Sequence, residues 1–190
     1  MPAIFAILMA VLALTSCAEY QKPQLPIKFF INSDFPADKT KAVFEAADRW
    51  NTALPNAVIE ITGITTKEYD LNDGYNMLFW SEKPHSESDL AAGTAMTAID
   101  NNGNVLCDIE IRATNYGVCA KDSEGNYRCS DYGYNHLVYV LMHEIGHCLQ
   151  LGHVDNALDL MYKSTPTKVD LNSVPTVYDI IEVIKTLDIQ

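Results

Sequence analysis

Positive charge is scarce in this chain: 13 Lys and Arg face 25 Asp and Glu, a formal net charge of −12. That balance excludes nucleic acid as the expected partner and excludes a polybasic contact with anionic lipid. It favours solubility and leaves the substrate open. The five cysteines include no Cys-x-x-Cys pair, which removes zinc-finger and thioredoxin-like redox readings. The apolar run at residues 3–14 is too short to span a bilayer comfortably, and no Lys or Arg precedes it. Repeats and an interdomain linker are also lacking, so the remaining chain reads as one domain large enough to bury a core.

The apolar run ends in Leu14-Thr15-Ser16-Cys17, which resembles a bacterial lipoprotein signal with its lipidated cysteine. The expected division is a signal peptide over 1–16, a short lipid-anchor tether over 17–22 with Cys17 acylated, and a folded domain over 23–190. A mis-assigned start or an ordinary secretory signal is the alternative. The protein is thus expected to be exported to a bacterial cell envelope, anchored on its periplasmic or surface face, or else secreted.

Cys107, Cys119, Cys129 and Cys148 remain, an even number in an oxidising compartment. Cys119 and Cys129 flank the turn-rich Asp122-Ser123-Glu124-Gly125-Asn126 and suit a hairpin closed by a bridge. Cys107 shares a strand face with Ile109 and Ile111, and Cys148 a helix face with Leu141 and Ile145, so those two could meet in the core. Unpaired buried thiols are the rival reading.

Helical spacing joins Val43, Ala46, Ala47, Trp50 and Leu54, ended by Pro55. A second stripe, Val177, Ile180, Ile181, Ile184 and Leu187, predicts a closing helix. Val105, Cys107, Ile109 and Ile111 alternate with Asp108, Glu110 and Arg112, which predicts a strand with one covered face. The turn Asp100-Asn101-Asn102-Gly103-Asn104 joins it to Thr94–Ile99 as a hairpin. Strands and helices mix, giving an α+β fold class.

Against this background, three of the five histidines fall in His143-Glu144-Ile145-Gly146-His147-Cys148-Leu149-Gln150-Leu151-Gly152-His153. His143 and His147, four apart, project from one helix face about 5 to 6 Å apart at Cβ, close enough to chelate one ion. Glu144 can lean toward the open coordination position and take a proton from water there. Three imidazoles plus a free vertex are the pattern of a catalytic Zn2+ site. His153 can join only if the helix stops and the chain turns back near Gly152. The bland alternative is an ordinary amphipathic helix, since HExxH alone is short. His136, seven residues before His143, is about two turns away and reads as a helix-start residue outside the ligand set.

The motif resembles that of the metzincin metallopeptidases, and among them the matrixin-like group, whose pattern is HExxHxxGxxH followed by a Met-turn. Gly146 stands where matrixins commonly carry glycine. Met161, eight residues after His153 in Asp159-Leu160-Met161-Tyr162, stands where the Met-turn methionine does; Tyr162 is not counted as a ligand. The resemblance extends more weakly over Pro26–Ile31, the segment around Trp50, Tyr75–Trp80 and Ala91–Thr114. It implies a metzincin or zincin-like catalytic domain over 23–190, with a twisted mixed sheet, an edge hairpin, an active-site helix and a C-terminal helix.

What the resemblance further implies is a monomeric zinc endopeptidase acting on peptide or protein substrates. His143, His147 and His153 would bind the metal, Glu144 would be the general base, and 163–167 would wall the primary specificity pocket. The chain departs from the family at Gln150, where glycine is usual. Either Gln150 takes a left-handed conformation, at a cost of roughly 1 to 2 kcal/mol, or the turn shifts toward Gly152. Asp155 is then a reserve third ligand. His85 and Asp89 are possible remnants of the family's structural zinc site, which is expected to be absent. Competing readings are a non-catalytic zinc-binding surface lipoprotein, and a site completed by Glu182 on the closing helix.

Overall fold

The computed structural model describes residues 22–68, 70, 73–82, 91–100, 102, 104–117, 120–121, 127–128, 131–164, 166, 169 and 172–189. Cys17, His85, Asp89, Cys119 and Cys129 lie outside them, so the anchor, the structural-zinc remnant and the second bridge are not addressed by the structure.

Five strands form one mixed sheet: β1 (Ile27–Asn32), β2 (Ile59–Thr65), β3 (Asn76–Ser81), β4 (Gly93–Ile99) and β5 (Val105–Arg112), in the order β2-β1-β3-β5-β4. The first four in that order run parallel. β4 returns antiparallel on β5, Gly93 opposite Ile111 and Ile99 opposite Val105, and forms the sheet's edge. This is the α+β fold with an edge hairpin that the sequence predicts. A small antiparallel pair, β6 (Ala120–Lys121) and β7 (Tyr127–Arg128), lies beyond the sheet.

Two helices pack on one sheet face. In α1 (Thr40–Ala53) the 3.6-residue stripe Val43, Ala46, Ala47 and Trp50 is buried, with Leu54 just past its end. In α2 (Gly133–Cys148) burial runs almost all round, because α1, the sheet and the segment after 153 each cover a side. The Trp50 indole N–H donates to the Met142 carbonyl at 2.9 Å, fixing α1 on α2 without orphaning the indole in the core. Cys107 on β5 and Cys148 at the end of α2 are joined by a disulfide, Cα to Cα 5.5 Å. No described helix is long and apolar enough to cross a membrane.

Two expectations need correction. β5 is buried on both faces: Asp108, Glu110 and Arg112, predicted to face water, are at most 6% exposed. Alternation marks two faces but not what covers them, and here both faces of β5 are packed. Its second face shares a layer with Met77 and Phe79, also buried, and the Met77 N–H donates to Asp108 Oδ1 at 2.7 Å. In α3 (Val177–Leu187) the buried line is Asp179, Val183 and Leu187, at i, i+4, i+8. Ile180 and Ile184 flank it, while Val177 and Ile181 of the predicted stripe are 73% and 44% exposed. Asp179 lies on the buried side because its carboxylate is engaged there, in line with the core residues Val183 and Leu187.

Candidate metal centre

His143 and His147 project from the last two turns of α2. The helix then stops in a Schellman motif: the N–H of Leu151 donates to the Gly146 carbonyl and that of Gln150 to the His147 carbonyl, both at 2.9 Å. Gln150 itself takes the left-handed conformation, φ +69°. Gly152 does not, so of the two turns allowed by the sequence the chain uses the one centred on Gln150. The polypeptide reverses and delivers His153 to the other two histidines.

The three Nε2 atoms converge. His153 Nε2 lies 3.3 Å from that of His143 and 3.1 Å from that of His147. The three residues form a group able to hold a metal ion. Tetrahedral nitrogen ligands at zinc distances of 2.0–2.1 Å stand about 3.3 Å apart, so the spacing fits. The opposite ring nitrogens set the tautomers. His143 Nδ1 donates to the Leu160 carbonyl at 2.7 Å and His147 Nδ1 to the Leu151 carbonyl at 2.8 Å. Since a carbonyl can only accept, both rings carry their proton on Nδ1 and turn a lone pair toward the shared centre. Burial pushes His143 down to about 4 and lowers His147 as well, favouring the neutral, ligating form. Three lone pairs aimed at one point are a donor set for a cation.

The support beneath is built from the Met-turn. A Cβ at Gly146 would lie 2.4 Å from Met161 Sδ, so glycine there lets the methionine seat directly under the helix. Met161 is buried, and its carbonyl accepts from the Val154 N–H at 3.0 Å, tying the turn to the residue after His153. Leu160, whose carbonyl holds His143, is held in turn by α3: its N–H donates to Asp179 Oδ2 at 3.3 Å. The same carboxylate accepts from the Thr176 N–H and hydroxyl at 2.8 and 2.7 Å, and the Asp179 N–H donates back to Thr176 Oγ1, a capping box that also secures the turn.

Glu144, 6% exposed, faces a cleft of about 810 Å³ lined by β4 on one side and by the three histidines on the other. Desolvation raises its carboxyl to about 7, opposed by a hydrogen bond from the Ala95 backbone N–H. β4 approaches this closely because residue 93 is glycine: a Cβ there would come within 2.7 Å of Val140 Cγ1 and 3.0 Å of Glu144 Cγ. Lys163 and Ser164 line the cleft from the segment after the Met-turn, where the specificity wall is expected.

The reserve ligands are not used. Asp155 is fully exposed and 3.9 Å from Lys163 Nζ, and Glu182 pairs with Lys185 on α3 at 2.8 Å; neither belongs to the metal-competent group. In the sequence Gly93 and Ala95 are legible only as part of the edge strand Gly93–Ile99, expected to bind peptide, and Asp179 and the two carbonyls are not legible as functional groups. Of these only the Thr176-x-x-Asp179 capping pattern carried a local signal.

A sheet edge, a buried HExxH helix, three convergent imidazoles and a methionine below them define the metzincin class of metalloproteins. The chain matches the matrixin family over residues 26–187 and belongs to it. No curated protein matches it in sequence. Among solved structures it is similar in fold to archaemetzincin from Methanopyrus kandleri, with TM-score 0.54 and 14% identity over 85% of this chain and 96% of that one. Family and donor set together imply zinc.

Proposed function

We propose that the protein is a zinc-dependent endopeptidase in which His143, His147 and His153 hold the metal and Glu144 is the general base. The observation that carries this is the placement of one buried carboxylate beside three convergent Nε2 atoms, in a cleft whose other wall is a strand edge. Zinc bound there supplies a Lewis acid for the scissile carbonyl and acidifies the attacking water.

The chain's own residues do the rest. An extended peptide lies along Gly93–Ile99 and adds to the sheet through main-chain hydrogen bonds, which align the bond to be cut without reading its side chains. Glu144 receives the proton of the attacking water and returns it to the leaving amine; a carboxyl lifted by burial toward neutrality is matched to both transfers. The Ala95 N–H orients that carboxylate. The Nδ1 bonds of His143 and His147 hold those rings in the tautomer and orientation in which their Nε2 lone pairs would bind zinc.

The test is metal analysis and peptide cleavage on the purified protein. One equivalent of zinc, loss of cleavage on chelation and its return on zinc addition are expected. Glu144→Ala should retain the metal and lose cleavage by about 100-fold or more; unchanged turnover in that variant overturns the assignment.

A further inference from the structure

The cleft continues past the metal centre toward the start of α2, where it is lined by Asn115, Tyr132 and His136. His136 stands on the same helix side as His143, about 10 Å from it along the axis, and plays no part in the metal site. It is 3% exposed, with the ring of Tyr132 stacked on it at 4.6 Å. The hydroxyl of buried Tyr116 meets His136 Nδ1 at 3.0 Å and fixes the ring's orientation. Nε2 makes no hydrogen bond to any described residue, and the ring forms part of the cleft wall. The wall of the same cleft also includes Ala91 and Ala92, which are small and apolar.

We propose that His136, with Asn115 and Tyr132, forms a subsite for an uncharged amide side chain, Asn or Gln, of the peptide bound in the cleft. This deepens, and rests on, the peptidase reading above. A substrate that covers Nε2 with hydrocarbon strands a polar atom without water, at a real cost in affinity. A side chain that hydrogen-bonds it avoids that cost. Burial keeps the imidazole neutral, so it offers one donor or one acceptor, according to which way the Tyr116 hydroxyl points. An amide has both functions and pairs with either tautomer. A carboxylate only accepts and an ammonium only donates, so each pairs with just one of the two tautomers. At about 3.3 Å per residue of extended peptide, the subsite reads a side chain within three residues of the bond cut.

Peptides carrying Gln or Leu at each of the three positions on either side of the scissile bond test the proposal. With the zinc-loaded full chain, Gln should be preferred at one position by about tenfold in kcat/KM, chiefly through KM. His136→Leu, with zinc content unchanged, should abolish or invert that preference. Should that variant fail to fold, the wild-type ring 15N resonances of His136 decide: they should shift with an uncleavable Gln-bearing analogue and stay put with its Leu counterpart. A Gln preference that survives in His136→Leu, equal cleavage of all the peptides, or resonances indifferent to the Gln analogue would each overturn the subsite. Selective binding through His136 without any cleavage keeps the subsite and overturns the peptidase reading, whereas cleavage without Gln preference does the reverse.

Discussion

Gln150 shows how one residue can break a pattern and keep its geometry. Glycine suits the left-handed position that ends such a helix because it has no Cβ to clash. Here glutamine holds φ +69°, and two backbone hydrogen bonds to the Gly146 and His147 carbonyls fix it there. The surrounding motif, not the residue's own preference, determines the turn that delivers His153. Gln150→Gly should therefore stabilise the fold by about 0.5 to 1 kcal/mol, the left-handed strain relieved less the extra freedom of glycine in the unfolded chain. Urea unfolding of the zinc-free protein measures this. Zinc stoichiometry should not change, since the turn is already made. A destabilised variant would mean that the glutamine side chain contributes more than its backbone costs.

At the scale of elements, α3 bears on the metal centre without touching it. Asp179 caps its own helix through Thr176 and holds the Leu160 N–H, and Leu160 orients His143 through its carbonyl. Asp179→Ala should cost about 1 kcal/mol or more for the lost cap. It should also weaken zinc affinity roughly 10- to 100-fold, the usual range for losing an outer-shell partner. Competition with a chelator of known affinity reads the second effect separately from the first. Unaltered affinity would confine Asp179 to helix capping.

The same elements show what sequence spacing can reveal. His143 with His147, and Cys107 with Cys148, were legible because period 3.6 and period 2 say which residues share a face. The bridge between β5 and α2 follows from two such faces meeting in one core. Opening it by Cys107→Ala with Cys148→Ala should cost about 3 to 4 kcal/mol, from the loop it closes. Thermal unfolding against the wild type tests that figure. Periodicity does not say what covers a face. Val177 and Ile181 read as core yet lie exposed, because the side of α3 that faces inward is the line Asp179, Val183 and Leu187, with the Asp179 carboxylate engaged at its start. The carbonyls of Leu151 and Leu160 were invisible for a simpler reason: every residue has one, and only the fold chooses which will orient a histidine.

For the whole molecule, the consequence lies on the sheet face opposite the metal helix. Asp108, predicted to be solvated, is 1% exposed there, and burial lifts its carboxyl to about 7 despite the hydrogen bond from the Met77 N–H; Asp73 and Asp70 push it the same way. In the unfolded chain an aspartate titrates near 4. Between about pH 4 and 7, therefore, the folded protein holds a proton that the unfolded chain has released. Stability contributed by this group is fully present below pH 4 and is lost as pH rises to 7, with a slope approaching 1.4 kcal/mol per pH unit. Asp108→Asn keeps an oxygen to accept from Met77 and removes the titration. Its stability should exceed that of the wild type at pH 8 and converge with it near pH 4, in denaturant unfolding curves recorded on the zinc-free protein across that range. Parallel curves at all pH values would mean that Asp108 is ionised in the fold, its charge balanced within the layer that covers this face of the sheet.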